Sequence, residues 1–294
     1  MDRDTRRNRP EGSARDGGDA AGLSHLPREL LSELARRVVT DDPVQTAKSF
    51  TNFKQTSRSV RDEFDGGGAV GEFHTRLGRL GTSAQALYTA AMPPENGMSN
   101  LLRARYLSRA VAPILKFQNA PRKSAVADSI LSLTQPGAQA FALSKMGDKL
   151  GDFSPADRTR LLDRSIELLT ATAAQGAQGQ WSVLVSTVRA IKKGHDHLNE
   201  EQRERLNGAF SQDPYLGALY RSIQVSTAGR AIPQRNPDLD GNINAIENQA
   251  AELPAEWSIG QANTIAQIGA SINDTYDNAR AELMHSDRSR DLTR

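Results

Sequence analysis

The chain has 294 residues, with 37 Lys+Arg against 35 Asp+Glu, a formal net charge of +2, 5% aromatic residues and no cysteine. The lack of cysteine excludes a disulfide framework, thiolate metal sites and a cysteine nucleophile. No apolar run approaches the roughly 20 residues of a membrane helix, and the N-terminal text lacks the apolar segment of an ordinary secretory signal.

Charge is unevenly spread. Residues 1–25 hold five arginines and five acids, whereas 234–294 hold five arginines and ten acids, which leaves +7 on 26–233. No Lys/Arg cluster is interleaved with aromatics, as stacking on bases would need. The basic middle therefore reads as a solvated helical surface, with neither a nucleic acid nor a membrane expected as partner.

Residues 1–24 are rich in Arg, Asp, Gly and Ser and carry almost nothing to bury, which predicts a disordered arm. From Leu26 to about Tyr220 apolar residues recur at helical spacing, with no sustained strand alternation. In 25–64, Pro27 marks a helix start, with Glu29 in its first turn and Leu30, Leu31, Leu34 and Val38 as its apolar stripe. Asp42-Pro43 predicts the cap of a second helix, with Val44, Ala47, Phe50 and Phe53 as its face. A third short helix is expected near Ser57, presenting Val60 and Phe64. Such a trihelical unit is too small to fold readily alone and needs a neighbour or a partner protein.

Asp65-Gly66-Gly67-Gly68 and Pro93-Pro94-Glu95-Asn96-Gly97 are breaks, giving a linker and helix over 65–97. The region 98–228 contains an echo. At an offset of 45, Phe153, Arg158, Arg160 and Leu161 match Leu198, Arg203, Arg205 and Leu206. At an offset of 36, Phe117, Arg122 and Ser129-Ile130 match Phe153, Arg158 and Ser165-Ile166. Ser154 followed by Pro155, and Asn199 followed by Gln202, predict the caps of equivalent helices. The pattern fits stacked helix pairs, a solenoid, with an irregular bundle as the alternative. Residues 229–294 read as a polar tail with weak helices through Ile265, Ile268 and Ile272. Whether it packs on the repeats is open at this level.

The motif Leu26-Pro27-x-Glu29-Leu30-Leu31-x-x-Leu34, with Val38 four residues on, resembles the F-box family. The resemblance covers about 40 residues. It implies a non-catalytic adaptor that docks on a Skp-family protein of a cullin-based SCF ubiquitin ligase while the rest of the chain recruits a target. Carried over onto this sequence, the Skp-contacting residues are Leu26, Pro27, Leu30, Leu31, Leu34, Val38 and Phe53. The late Trp of the family is absent, Ser57 or Arg58 standing near its place, and the Val38–Phe53 spacing is longer than usual. The polar arm and Ala/Leu/Arg-rich helices resemble type III effectors of plant-associated bacteria. That implies secretion by the bacterium, with the arm as signal, and action in the host cytoplasm or nucleus. The alternative is a helical scaffold in which 26–64 merely caps the repeats. In either case the fold class is all-α, a disordered arm, F-box-like unit, solenoid-like domain and polar tail.

No catalytic residue, cofactor or metal is expected. His195-Asp196-His197 reads as a solvated helix end, His74 as a partly buried histidine, and Gly66–Gly68 lacks the rest of a P-loop. Trp181, Phe141, Phe153, Phe117 and Tyr106 are the large anchors of the repeats. Most belong in the core, with one or two as interface anchors that the sequence does not single out.

Overall fold

A computed structural model of the protein describes residues 27–56, 58–65, 68–94, 97–175, 180–225, 238–254 and 256–285. The expected arm and secretion signal over 1–24, Leu26 and the last nine residues lie outside them. Among the described residues there is no strand, and the fold is all-α. The helices are α1 (Arg28–Arg37), α2 (Pro43–Lys54), α3 (Arg58–Asp65), α4 (Ala69–Ala91), α5 (Asn100–Arg105), α6 (Ala120–Leu131), α7 (Pro136–Met146), α8 (Pro155–Ala174), α9 (Trp181–Lys193), α10 (Glu200–Gln212), α11 (Pro214–Ser222), α12 (Leu239–Ala251) and α13 (Ile259–His285). α5 runs on through a π-helical turn, Tyr106–Val111, into a 3-10 turn, Ala112–Phe117.

The starts are set locally. Asp42 accepts from the amides of Val44 and Gln45, Ser154 from Asp157, and Asn199 from Gln202, whose side chain closes a capping box. A short polar side chain satisfies a first-turn amide in each case, and Pro43 and Pro155 give up no needed donor.

The echo in 98–228 is three stacked pairs, α6/α7, α8/α9 and α10/α11. Each pair is entered through a 3-10 turn (Ala112–Phe117, Gly147–Asp152, His195–His197). Each turn is followed by a buried apolar residue or ends on one, Phe117, Phe153 or Leu198, just ahead of the cap. The first helices form one layer, α6 on α8 on α10. The second helices form another, α5 on α7 on α9 on α11. The matched Arg160 and Arg205 play matched parts. Arg160 reaches back to Asp128 on α6 at 2.6 Å, and Arg205 to Asp163 on α8 at 2.8 Å.

The described residues of the polar tail, 238–254 and 256–285, pack into the molecule. α13 lies against α4, α12 and the two turns after α5. Its Ile265, Ile268, Ile272 and Tyr276 are all essentially without exposure. Gly269 permits the approach, since a Cβ there would meet Ile114 Cγ2 and Pro113 Cβ at 2.9 Å. The excess of acid in this region meets the excess of base in the middle. Arg76 of α4 holds Asp240 through both carboxylate oxygens at 3.1 and 2.9 Å and Glu282 at 3.1 Å. Arg79 holds Glu247 at 2.9 and 2.5 Å. Part of the basic surface expected to be solvated is thus a clamp between helices at the surface, its arginines more covered than the carboxylates they hold.

Candidate partner-binding face

The trihelical unit leans on α4. Leu31 and Ala35 of α1, Val39 two residues beyond it, Phe50 of α2 and Val60 and Phe64 of α3 are buried in the common core. The buried side of α1 is rotated about a quarter turn from the stripe Leu30–Leu31–Leu34–Val38 that spacing picks out. The reason is α3 and α4, which cover one flank of the helix and leave the other open. On α2 the buried residues are Pro43, Thr46 and Phe50, while Ala47 is exposed. Thr46 replaces Ala47 inside because its hydroxyl is fully used. It accepts from the Thr40 amide at 3.0 Å and lies 3.2 Å from the hydroxyl of Tyr276 on α13.

Aromatic rings hold the unit together. Phe50 meets Phe64 edge-on at 4.8 Å and Phe73 at 5.9 Å, and Phe53 meets Phe64 at 6.0 Å. His74 lies 5.9 Å from Phe50 and 5.7 Å from Phe64. Burial among these rings, with Lys54 nearby, holds its imidazole below the usual histidine range. Lys54 closes α2 on α3 through Asp65 at 2.7 Å, and that bond keeps the Asp65 carboxyl below the usual carboxylate range.

The residues read as Skp contacts divide into two groups. Pro27 is exposed, Leu30 is 50% exposed and Leu34 is half-buried. These three lie within one flank of α1, at i, i+3 and i+7. Leu31 is buried at 2%, and Val38 and Phe53 are partly buried against the core. Leu31 therefore anchors α1 rather than facing solvent. Leu26 lies outside the described residues. An open groove of about 540 Å³ runs between α2 and α4, walled by Val44, Ala47, Leu77 and Phe117, with Lys48 at its side.

In the repeats, Phe153, Phe117 and Tyr106 are core, as their size demands. Tyr106 also ties α13 down, donating to the Ser258 carbonyl at 2.8 Å. Phe141 is half-buried. Trp181 is 48% exposed and lies 6.1 Å from Tyr215, itself 51% exposed. Tyr215 was not evident from the sequence. The signal for it is positional, since Trp181 opens α9 and Tyr215 follows Asp213-Pro214 at the start of α11. A first-turn residue on the outer side has no preceding turn to pack on. His195 and His197 are exposed on a 3-10 turn and turn to different helices. His195 Nδ1 lies 2.9 Å from the Tyr220 hydroxyl and His197 Nδ1 3.0 Å from Arg158. Among the described residues no group of three His, Asp or Glu side chains could hold a metal ion, and no helix is long and apolar enough to cross a membrane.

No protein-family model, curated protein or solved structure matches the chain.

Proposed function

We propose that the protein is an F-box-type adaptor. Its α1 docks on a Skp-family protein, and its helical repeats bring a second protein to an SCF ubiquitin ligase. In this reading the chain is a bacterial effector that acts inside a plant host cell, and it performs no chemistry of its own. The supporting observation is the flank Pro27–Leu30–Leu34. It is apolar, with Pro27 and Leu30 exposed and Leu34 half-buried, beside a flank that Leu31 and Ala35 lock into the core together with Val39 just beyond the helix. The scaffold alternative draws on a different observation, the depth to which Phe50, Val60 and Phe64 are built into the shared core.

The test is calorimetry with a purified plant Skp-family protein, comparing the full chain with Leu30→Asp and with Leu31→Ala. Leu30→Asp changes an exposed position and should leave the melting temperature within about 2 °C. It should weaken Skp binding by more than about tenfold, the loss expected when a charge enters a desolvated apolar contact. Leu31→Ala should instead lower stability by about 2–5 kcal/mol. A folded wild-type chain that does not bind the Skp protein, or a Leu30→Asp chain that binds as well as wild type, refutes the adaptor reading and leaves the scaffold.

A further inference from the structure

The two layers of the repeats differ in how their cations are used. In the first layer three arginines are paired with acids, Arg160 with Asp128 and Asp157, Arg205 with Asp163, and Arg164 with Glu167. In the second layer, the stretches Asn100–Val111, Pro136–Met146, Trp181–Lys193 and Pro214–Ser222 contain no acidic residue at all. The charges that layer exposes are uniformly positive. Arg109, Lys145 and Arg189 are exposed, one per helix on three successive helices, and none has an acidic partner among the described residues.

These cations occupy equivalent places. Each closes a run of three residues at four-residue steps on the open side of its helix: Leu101–Arg105–Arg109, Gly137–Phe141–Lys145 and Trp181–Val185–Arg189. The outer surface of this layer therefore carries Leu101, Phe141, Trp181 and Val185, with Arg105 among them and a row of cations along one edge. Trp181 and Tyr215 stand paired at one end of it. Packed helices lie about 8–10 Å apart, and an extended chain advances about 3.3 Å per residue. A strand-like peptide crossing the helices meets a new cation at roughly every third residue. A row of cations one helix apart is too sparse for a nucleic acid, which carries a phosphate about every 3.4 Å of each strand. Carboxylates spaced about two to three residues apart, with apolar side chains between them, match both the row and the apolar side chains beside it.

We propose that the outer surface of α5, α7, α9 and α11 binds an extended acidic segment of another protein. The cations Arg109, Lys145 and Arg189 pair with its carboxylates, and Trp181 with Tyr215 receives an apolar side chain. The inference extends the adaptor reading by giving its recruiting half a partner class, and it can be tested with no Skp protein present.

The experiment pans a random displayed-peptide library on the full-length chain. It then measures the best selected peptide by fluorescence anisotropy, beside its copy with Gln and Asn in place of Glu and Asp and beside oligothymidylate. The expected peptides carry clustered acids with aliphatic or aromatic residues between them. The amide copy should bind about tenfold more weakly or worse, and so should the wild-type peptide to Lys145→Glu/Arg189→Glu and to Trp181→Ala/Tyr215→Ala. All changed positions are exposed or half-exposed, so circular dichroism melts should match wild type. Selected peptides without acids, no selected peptide, unchanged affinity in either double variant, or tighter binding of oligothymidylate overturns the proposal. Skp binding measured on Lys145→Glu/Arg189→Glu separates the two readings. It should be unchanged, because α1 packs on α3 and α4 at the opposite end of the helix order.

Discussion

Removing the Tyr276 hydroxyl tests whether the last helix holds the first unit in place. Tyr276 has no exposed surface, and its ring sits 6.1 Å from Phe73 and 5.7 Å from Phe117. Its hydroxyl donates to the Thr40 carbonyl at 2.7 Å and lies 3.2 Å from Thr46 Oγ1. Tyr276→Phe keeps the ring contacts and deletes one buried donor. Thr46 retains Thr40 as a partner, so the cost is that of a neutral buried hydrogen bond, about 1–2 kcal/mol. In a chain of this size that corresponds to a fall in Tm of about 3–6 °C. Tyr276→Ala loses the ring as well and should cost about 3–5 kcal/mol. In a Thr46→Val background the Tyr276→Phe cost should shrink by about 0.5–1 kcal/mol, since part of the network is already gone. Urea denaturation of wild type, the two Tyr276 variants, Thr46→Val and Thr46→Val/Tyr276→Phe is the assay. Burial also pushes the Tyr276 hydroxyl up to about 12. The folded value exceeds the unfolded value near 10, so the fold favours the protonated phenol. Its contribution is full below pH 10 and is lost as pH rises from there to about 12. Tyr276→Phe should lack that alkaline loss. A Tyr276→Phe chain as stable as wild type, or as unstable as Tyr276→Ala, refutes the reasoning.

Two glycines should respond with opposite signs. Gly269→Ala forces a Cβ against Pro113 and Ile114 and should cost about 1 kcal/mol or more, whereas Gly81→Ala on α4 meets nothing within 4 Å and should gain about 0.5–1 kcal/mol; equilibrium unfolding reads both. Arg76→Ala/Arg79→Ala should lower stability by about 1–2 kcal/mol at low ionic strength and by less in 0.5 M salt, because Asp240 and Glu247 are substantially exposed. Hydrogen bonds from these arginines hold both carboxyls below their ordinary range, so the clamp contributes above about pH 4 and fades as pH falls further, which a pH series of melts on wild type and variant compares. His74, held low chiefly by burial, should titrate by NMR below 6.5. Its contribution is present above that pH and lost on acidification, so His74→Gln should flatten part of the Tm decline between pH 7 and 5.

The features legible in the residues alone are local. Asp42-Pro43, Ser154-Pro155 and Asn199 with Gln202 mark helix starts because a cap is a contact over two or three residues, complete within its own text. The echo of Phe153 and Leu198 was legible for the same reason, since each pair carries its own entry residue and cap. The side of α1 that faces solvent was not legible. Leu30 and Leu31 are alike as residues, and only the docking of α3 and α4 makes one exposed and the other core. α13 read as a weak helix in a polar tail because its buried positions include Gln261, Gly269 and Thr275. Gly269 allows close approach to Pro113, and Gln261 finds a partner in Tyr106 at 2.5 Å. Those partners lie more than 150 residues away in the chain. Burial of a polar side chain is favourable only when its hydrogen-bonding partner is in place, and only the tertiary structure brings the two together.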